Sequence, residues 1–153
     1  MLSQNLSQTY LEEDRNFLEE ISPKSSSLKD LRVLVVDDSD DCSYVMEFVL
    51  SDHQAQTKTA ASVDEAIEAI KEWKPNIVIS DIRMPDKDGY SLIRSVRKKE
   101  AIDGGFLPAV ALTSYRDTEV LSKAINAGFQ EVIRKPFEPD ELVAILVKLT
   151  QGT

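Results

Sequence analysis

Histidine and cysteine are almost missing from this sequence, with one of each, His53 and Cys42, in 153 residues. A single thiol closes no internal disulfide. Without a C-x-x-C pair or a Cys/His cluster there is also no ligand set for structural zinc, so a reducing compartment suits the chain. One histidine leaves no phosphohistidine kinase core and no Ser/His/Asp triad of the usual kind. His53 follows Asp52 at the expected end of a helix, where a solvated imidazole weakly favours the negative end of the dipole. Long apolar runs are absent as well, and none approaches the ~20 residues that cross a bilayer, so no membrane insertion is expected. The opening MLSQNLSQTYLEEDRN has neither the basic start nor the apolar stretch of a secretory signal, so the expected location is the cytoplasm. Basic charge is in deficit: 18 Lys and Arg against 27 Asp and Glu give a net charge of −9. With the basic residues scattered along the chain, direct nucleic-acid binding is disfavoured.

What is present is the composition of a soluble globular protein, 42% hydrophobic and 29% charged, with room for one domain and its own core. Residues 1–30 form a polar, Ser/Gln-rich leader, and Pro23 with Lys24-Ser25-Ser26-Ser27 marks a linker. Within the leader, Tyr10, Leu11, Phe17, Leu18 and Ile21 fall on one helical face, so it reads as a flexible extension or a short amphipathic helix. The domain is expected over residues 31–150, with 151–153 as a tail. Across it, short apolar runs alternate with amphipathic segments: RVLVV, SYVMEFVL, VDEAIEAIKEW, NIVIS, SLIRSVRKK, PAVALT, EVLSKAINA, QEVI and ELVAILVKL. Val33 to Val36, Ile77 to Ile79 and Ala109 to Leu112 are continuously apolar, as strands covered on both faces must be. Gln56 to Thr59, polar and β-branched, suits an edge. Helical periodicity gathers Val63, Ala66, Ile67, Ile70 and Trp73 on one face, and Leu142, Ile145, Leu146 and Leu149 on another. Trp73 is read as packing. The expected architecture is α/β, a flavodoxin-like (βα)₅ doubly wound parallel sheet in strand order 2-1-3-4-5. Its ligand crevice would lie at the carboxyl ends of the strands.

That rim is where polar residues collect. Strand one runs into Asp37-Asp38, strand three ends in Asp81, strand four in Thr113-Ser114, and strand five leads to Lys135-Pro136. Singly, each has a plain explanation, since acidic residues often cap the next helix. Jointly, the topology brings them to one crevice. Crowded carboxylates repel one another, and a hard divalent cation such as Mg²⁺ relieves them. A carboxylate can attack phosphorus if the charge on the phosphoryl oxygens is neutralised, which Mg²⁺ and the Lys135 ammonium would do. The Thr113 hydroxyl could donate to a phosphoryl oxygen once one is present.

The segments LRVLVVDDSDD, SDIRMPDKDG, AVALTS and RKPF resemble the signatures of the response-regulator receiver family, the CheY-like domains. The resemblance spans about Asp30 to Thr150, in the family's order and spacing, with 22 positions from Thr113 to Lys135. It implies that Asp81 is the phosphoacceptor and that Asp37 and Asp38 are metal carboxylates. Arg83 would be a Mg²⁺ ligand through its backbone carbonyl, Lys135 the phosphate partner, and Thr113 with Ser114 the switch. Pro136 would follow a cis peptide, and Gly89 would supply a turn before the third helix. The implied partners are a sensor histidine kinase or histidine phosphotransfer protein and a downstream effector protein, with a homodimer possible. The domain would catalyse only its own phosphotransfer and dephosphorylation.

One position departs from the family pattern. Three residues before the lysine, where an aromatic ring is usual, stands Val132, so half of the usual switch is missing. Arg83 and Tyr115, bulky and two residues beyond Asp81 and Thr113, are expected to slow dephosphorylation. Two alternatives compete: a phosphate-independent interaction module, and a phosphatase of the haloacid dehalogenase type. The latter needs Thr or Val where Cys42 stands, and an acidic pair on strand four. A flavin site is weaker still, since no phosphate loop follows strand one. With no effector segment read after Thr150, output is expected to pass through binding.

Overall fold

The computed structural model describes residues 28–114 and 118–151; the leader to Ser27 and Tyr115, both read above, lie outside them. Five strands alternate with five helices: β1 (Arg32–Val36), α1 (Asp40–Asp52), β2 (Gln56–Ala60), α2 (Val63–Trp73), β3 (Ile77–Asp81), α3 (Gly89–Asp103), β4 (Ala109–Thr113), α4 (Thr118–Ala127), β5 (Glu131–Arg134) and α5 (Pro139–Thr150). The strands form one parallel sheet in the order β2-β1-β3-β4-β5, and β1 pairs with both β2 and β3, Val35 facing Thr59 on one side and Ile79 on the other. The flavodoxin-like expectation therefore holds, with the polar strand β2 at an edge.

Alternation along each central strand divides the core in two. Val33, Val35, Ile77, Ile79, Val110, Leu112 and Ile133 face one side, where Met46 and Leu50 of α1 and Leu142 and Leu146 of α5 meet them. Leu34, Val36, Val78, Ala109 and Ala111 face the other, against α2, α3 and α4. Both parities are apolar because both faces are covered, which is why the strands read as unbroken runs. Trp73 packs against the second half with Ile67 and Ile70. Leu28, which the sequence reading placed in the leader, is fully buried in the first half.

Helix starts are set by local side chains. Ser39 accepts from the Cys42 amide at 3.3 Å, Ser62 from Glu65 at 3.1 Å, and Asp88 from Ser91 at 2.9 Å, each satisfying a donor the helix itself cannot use. Because Ser39 caps α1, Asp37 and Asp38 are not needed for capping. His53 ends α1 with Nδ1 3.0 Å from the Val49 carbonyl oxygen. Among the described residues, no helix is long and apolar enough to cross a membrane.

Candidate functional site

Parity explains how three elements aim at one point. Asp37 continues the register of Val33 and Val35, Asp81 that of Ile77 and Ile79, and Lys135 that of Ile133. All three extend lines of side chains that face α1 and α5, just past the point where the apolar core stops. One carboxylate oxygen from each of Asp37, Asp38 and Asp81 lies within 4.8 Å of the others. Asp37 is buried, Asp81 half-buried and Asp38 exposed, so the cluster opens toward solvent on the Asp38 side.

Lys135 closes the other side. Its Nζ lies 2.7 Å from Asp37 Oδ2, 3.6 Å from Asp81 Oδ2 and 3.7 Å from Cys42 Sγ. The lysine is therefore hydrogen-bonded to Asp37 and only in charge range of Asp81. Asp37 also accepts from the Ser39 amide at 2.9 Å. Lys135 is fixed by its own amide, which donates to the Thr113 carbonyl at 2.8 Å, and the Lys135–Pro136 peptide is cis.

Burial pushes the Asp81 carboxyl above the usual range; the Lys135 charge opposes this, Asp37 and Asp38 add to it, and the Arg83 backbone N–H donates to the carboxylate and pulls it down. For Lys135, burial alone would lower the pKa, but the hydrogen bond to Asp37 and the charges of Asp81 and Asp37 prevail and raise it. Three carboxylates with one lysine leave a net negative, all-oxygen donor set open to water. That is the chemistry a hard divalent cation of the Mg²⁺ or Ca²⁺ kind requires, so the residues fit the metal expected from the sequence.

Thr113 is buried at the end of β4 on the opposite parity, and Ser114 beside it is exposed. Thr113 lines a depression of about 340 Å³ with Arg83, Met84, Asp88 and Tyr90. Val132 is half-buried in β5 and packs against the α2–α4 half of the core. Gly89 corrects the sequence reading. It is the first residue of α3 rather than a turn residue, and what requires glycine is space: a Cβ there would sit 2.5 Å from the Asp81 carbonyl oxygen. Tyr90, a buried aromatic that shares the Thr113 depression, was not singled out from the sequence. Its adjacency to Gly89 in the SDIRMPDKDG segment was the available signal.

The family model of the response regulator receiver domain matches residues 33–147. A 14.6 kDa protein encoded in the sodA1 3′ region of Leptolyngbya boryana, itself uncharacterized, is 36% identical over 120 residues, covering 78% of this chain and 90% of that one. The DNA-binding transcriptional regulator NtrC of Escherichia coli K12 is 31% identical over 74% of this chain, but the match spans only 24% of NtrC. Among solved structures, the chain is similar to the chemotaxis protein CheY4 of Vibrio cholerae, with a TM-score of 0.72, 28% identity and coverage of 78% of this chain and 98% of that one. The receiver domain of NtrX from Brucella abortus gives a TM-score of 0.71 and 30% identity, covering 79% and 99%. With the motifs, the strand order and the family match in agreement, this chain belongs to the response regulator receiver domain family of two-component systems.

Proposed function

We propose that the chain is a phosphoacceptor, with Asp81 as the residue modified. The observation that carries this reading is the Asp81 carboxylate at the mouth of the crevice, 3.6 Å from the Lys135 ammonium and within 4.8 Å of two further carboxylates. An Asp81 oxygen attacks the phosphorus of a phosphohistidine. The P–O bond forms as the P–N bond breaks, and the electron pair leaves on the donor imidazole nitrogen. Asp37, Asp38, Asp81 and the Arg83 backbone carbonyl would hold Mg²⁺, which would supply positive charge to the phosphoryl oxygens. Lys135 is released from its bond to Asp37 to pair with the incoming phosphoryl group, while Thr113 and Ser114 report its presence.

The donor is a sensor histidine kinase or a histidine phosphotransfer protein. The exposed Tyr44, Val45 and Phe48 on α1, six to ten residues past Asp38, give such a protein an apolar footing beside the site. Output passes by contact with an effector protein in the cytoplasm, or through a second copy of the chain. The NtrC relatives make a DNA-binding regulator one reasonable class of effector. Because Val132 replaces the usual aromatic, phosphorylation draws in Thr113 while the α4–β5–α5 face responds less. Amide shift changes confined to the pocket support that part, and changes spread over the whole face refute it.

The primary test is intact mass after incubation with Mg²⁺ and acetyl phosphate. One metal-dependent, acid-stable and base-labile phosphoryl adduct is expected on the wild type and none on Asp81→Asn. No adduct on the wild type, with histidine-phosphorylated donors tried as well, would favour the phosphate-independent module.

A further inference from the structure

Far from the carboxylate site, α2 and α3 leave a groove of about 260 Å³ between them. Its floor is apolar, from Ile67, Ile70, Val96 and Leu107, and its rim carries Lys71, Lys74 and Lys99. All three lysines are exposed. At the same end, Ile102 and Phe106 are 78% and 62% exposed and flank the lining residues Asp103 and Gly104 in sequence, so apolar surface continues past the mouth. Asp103 is the acidic exception on the rim; Glu100 is held by Arg97 and by the Leu107 amide. In a chain of net charge −9, three lysines around an apolar trough call for an acidic, amphipathic occupant.

This chain has one within reach. Residues 10–21, YLEEDRNFLEEI, carry five carboxylates and one arginine around the apolar line Tyr10, Leu11, Phe17, Leu18 and Ile21. We propose that residues 10–21 dock as an amphipathic helix into the lysine-framed groove between α2 and α3. The tether permits it. The described chain starts at Leu28, and Arg32, four residues later, reaches across to the Lys74 carbonyl with Nε at 3.0 Å and Nη2 at 2.6 Å. The leader therefore leaves the domain on the α1–α5 side of the sheet, at the same amino end as the groove's lip at Lys74, and has to pass under that end of the sheet to reach the groove. The six residues between Ile21 and Leu28 extend to roughly 20 Å, and a helix of this length covers about 18 Å, comparable to the length of α2. Tethering also holds the segment at an effective concentration on the order of millimolar, so a modest intrinsic affinity suffices. The competing apolar surface, Tyr44, Val45 and Phe48 on α1, is a poor host for this segment. Its helix carries Asp40, Asp41, Glu47 and Asp52 and no lysine or arginine, and like charges repel.

The test is hydrogen–deuterium exchange on the full chain. Amides of residues 10–21 are expected to exchange about tenfold or more slowly than in an unstructured peptide. The protection should be lost when Lys71→Glu, Lys74→Glu and Lys99→Glu are combined, and regained when Glu12, Glu13 and Glu19 are changed to Lys in that background. Zero-length carboxyl–amine cross-linking of the wild type, which does not depend on any variant folding, should join residues 12–20 to Lys71, Lys74 or Lys99 within one chain. Unprotected amides in the wild type, protection indifferent to the charge reversals, protection that grows with protein concentration, or cross-links only between chains would each overturn intramolecular docking.

Discussion

At the amino end of the sheet, polar side chains are spent on the main chain. Asn76 Oδ1 accepts from the Arg32 amide at 2.7 Å, Gln130 Oε1 from the Ala109 amide at 2.7 Å, and Arg97 Nε donates to the Gly128 carbonyl at 3.0 Å. At the carboxyl end, Asp37, Asp38 and Asp81 face one another with Lys135 between two of them. One end satisfies groups that folding would otherwise leave unpaired; the other assembles charges that folding alone does not need. That contrast points to the carboxyl end as the place where stability has been yielded to chemistry.

The sharpest way to break the contrast is Asp81→Asn. Besides abolishing the phosphoryl adduct, it should stabilise the metal-free domain by about 1 kcal/mol, because a desolvated carboxylate between two others is replaced by a neutral amide. Urea denaturation in chelator measures this, and a variant less stable than wild type would mean that Asp81 is well accommodated after all. Gly89→Ala should cost about 3 kcal/mol, since the new methyl collides with the Asp81 backbone rather than with a side chain that can swing away. Its adduct should also form more slowly, and unchanged phosphorylation would show that the end of β3 tolerates displacement.

At the opposite end, Arg97→Ala removes the bond to Gly128 and the pairing with Glu100 and Gln130. A loss of about 2 kcal/mol is expected, with the rate of adduct formation unaltered; a slowed rate would couple the two ends. Mg²⁺ itself should stabilise the wild type by about 1 kcal/mol at a few times its Kd. A thermal-shift titration should show no such gain in a variant combining Asp37→Asn and Asp38→Asn.

The fold was legible wherever one periodicity ran uninterrupted. Val33–Val36 and Ala109–Leu112 are apolar at every position because both faces of their strands are buried, and the residues gathered on the helix read at Val63–Trp73 do pack on the sheet. Leu28 escaped notice, since a lone leucine after three serines has no period and only its position beneath α1 makes it core. At the site, the motifs named Asp37, Asp38, Asp81, Thr113 and Lys135, and the structure brings the three carboxylates and the lysine together. Sequence could not say that Lys135 is hydrogen-bonded to Asp37 rather than Asp81, a difference of 2.7 against 3.6 Å set by where β5 ends. Nor could it separate a glycine required by a turn from one required by a close approach, as at Gly89.

By itself the sequence determined the order of elements, the two-sided burial of the central strands and the residue types at the strand ends, because periodicity and turn chemistry are local and survive in one dimension. The tertiary structure decided which charges meet. It set Lys99 of α3 across one groove from Lys71 and Lys74 at the end of α2, and it set Asp37 out of water while leaving Asp38 in it. Coulombic and desolvation energies depend on distances through space and on exposure, which only the folded chain fixes.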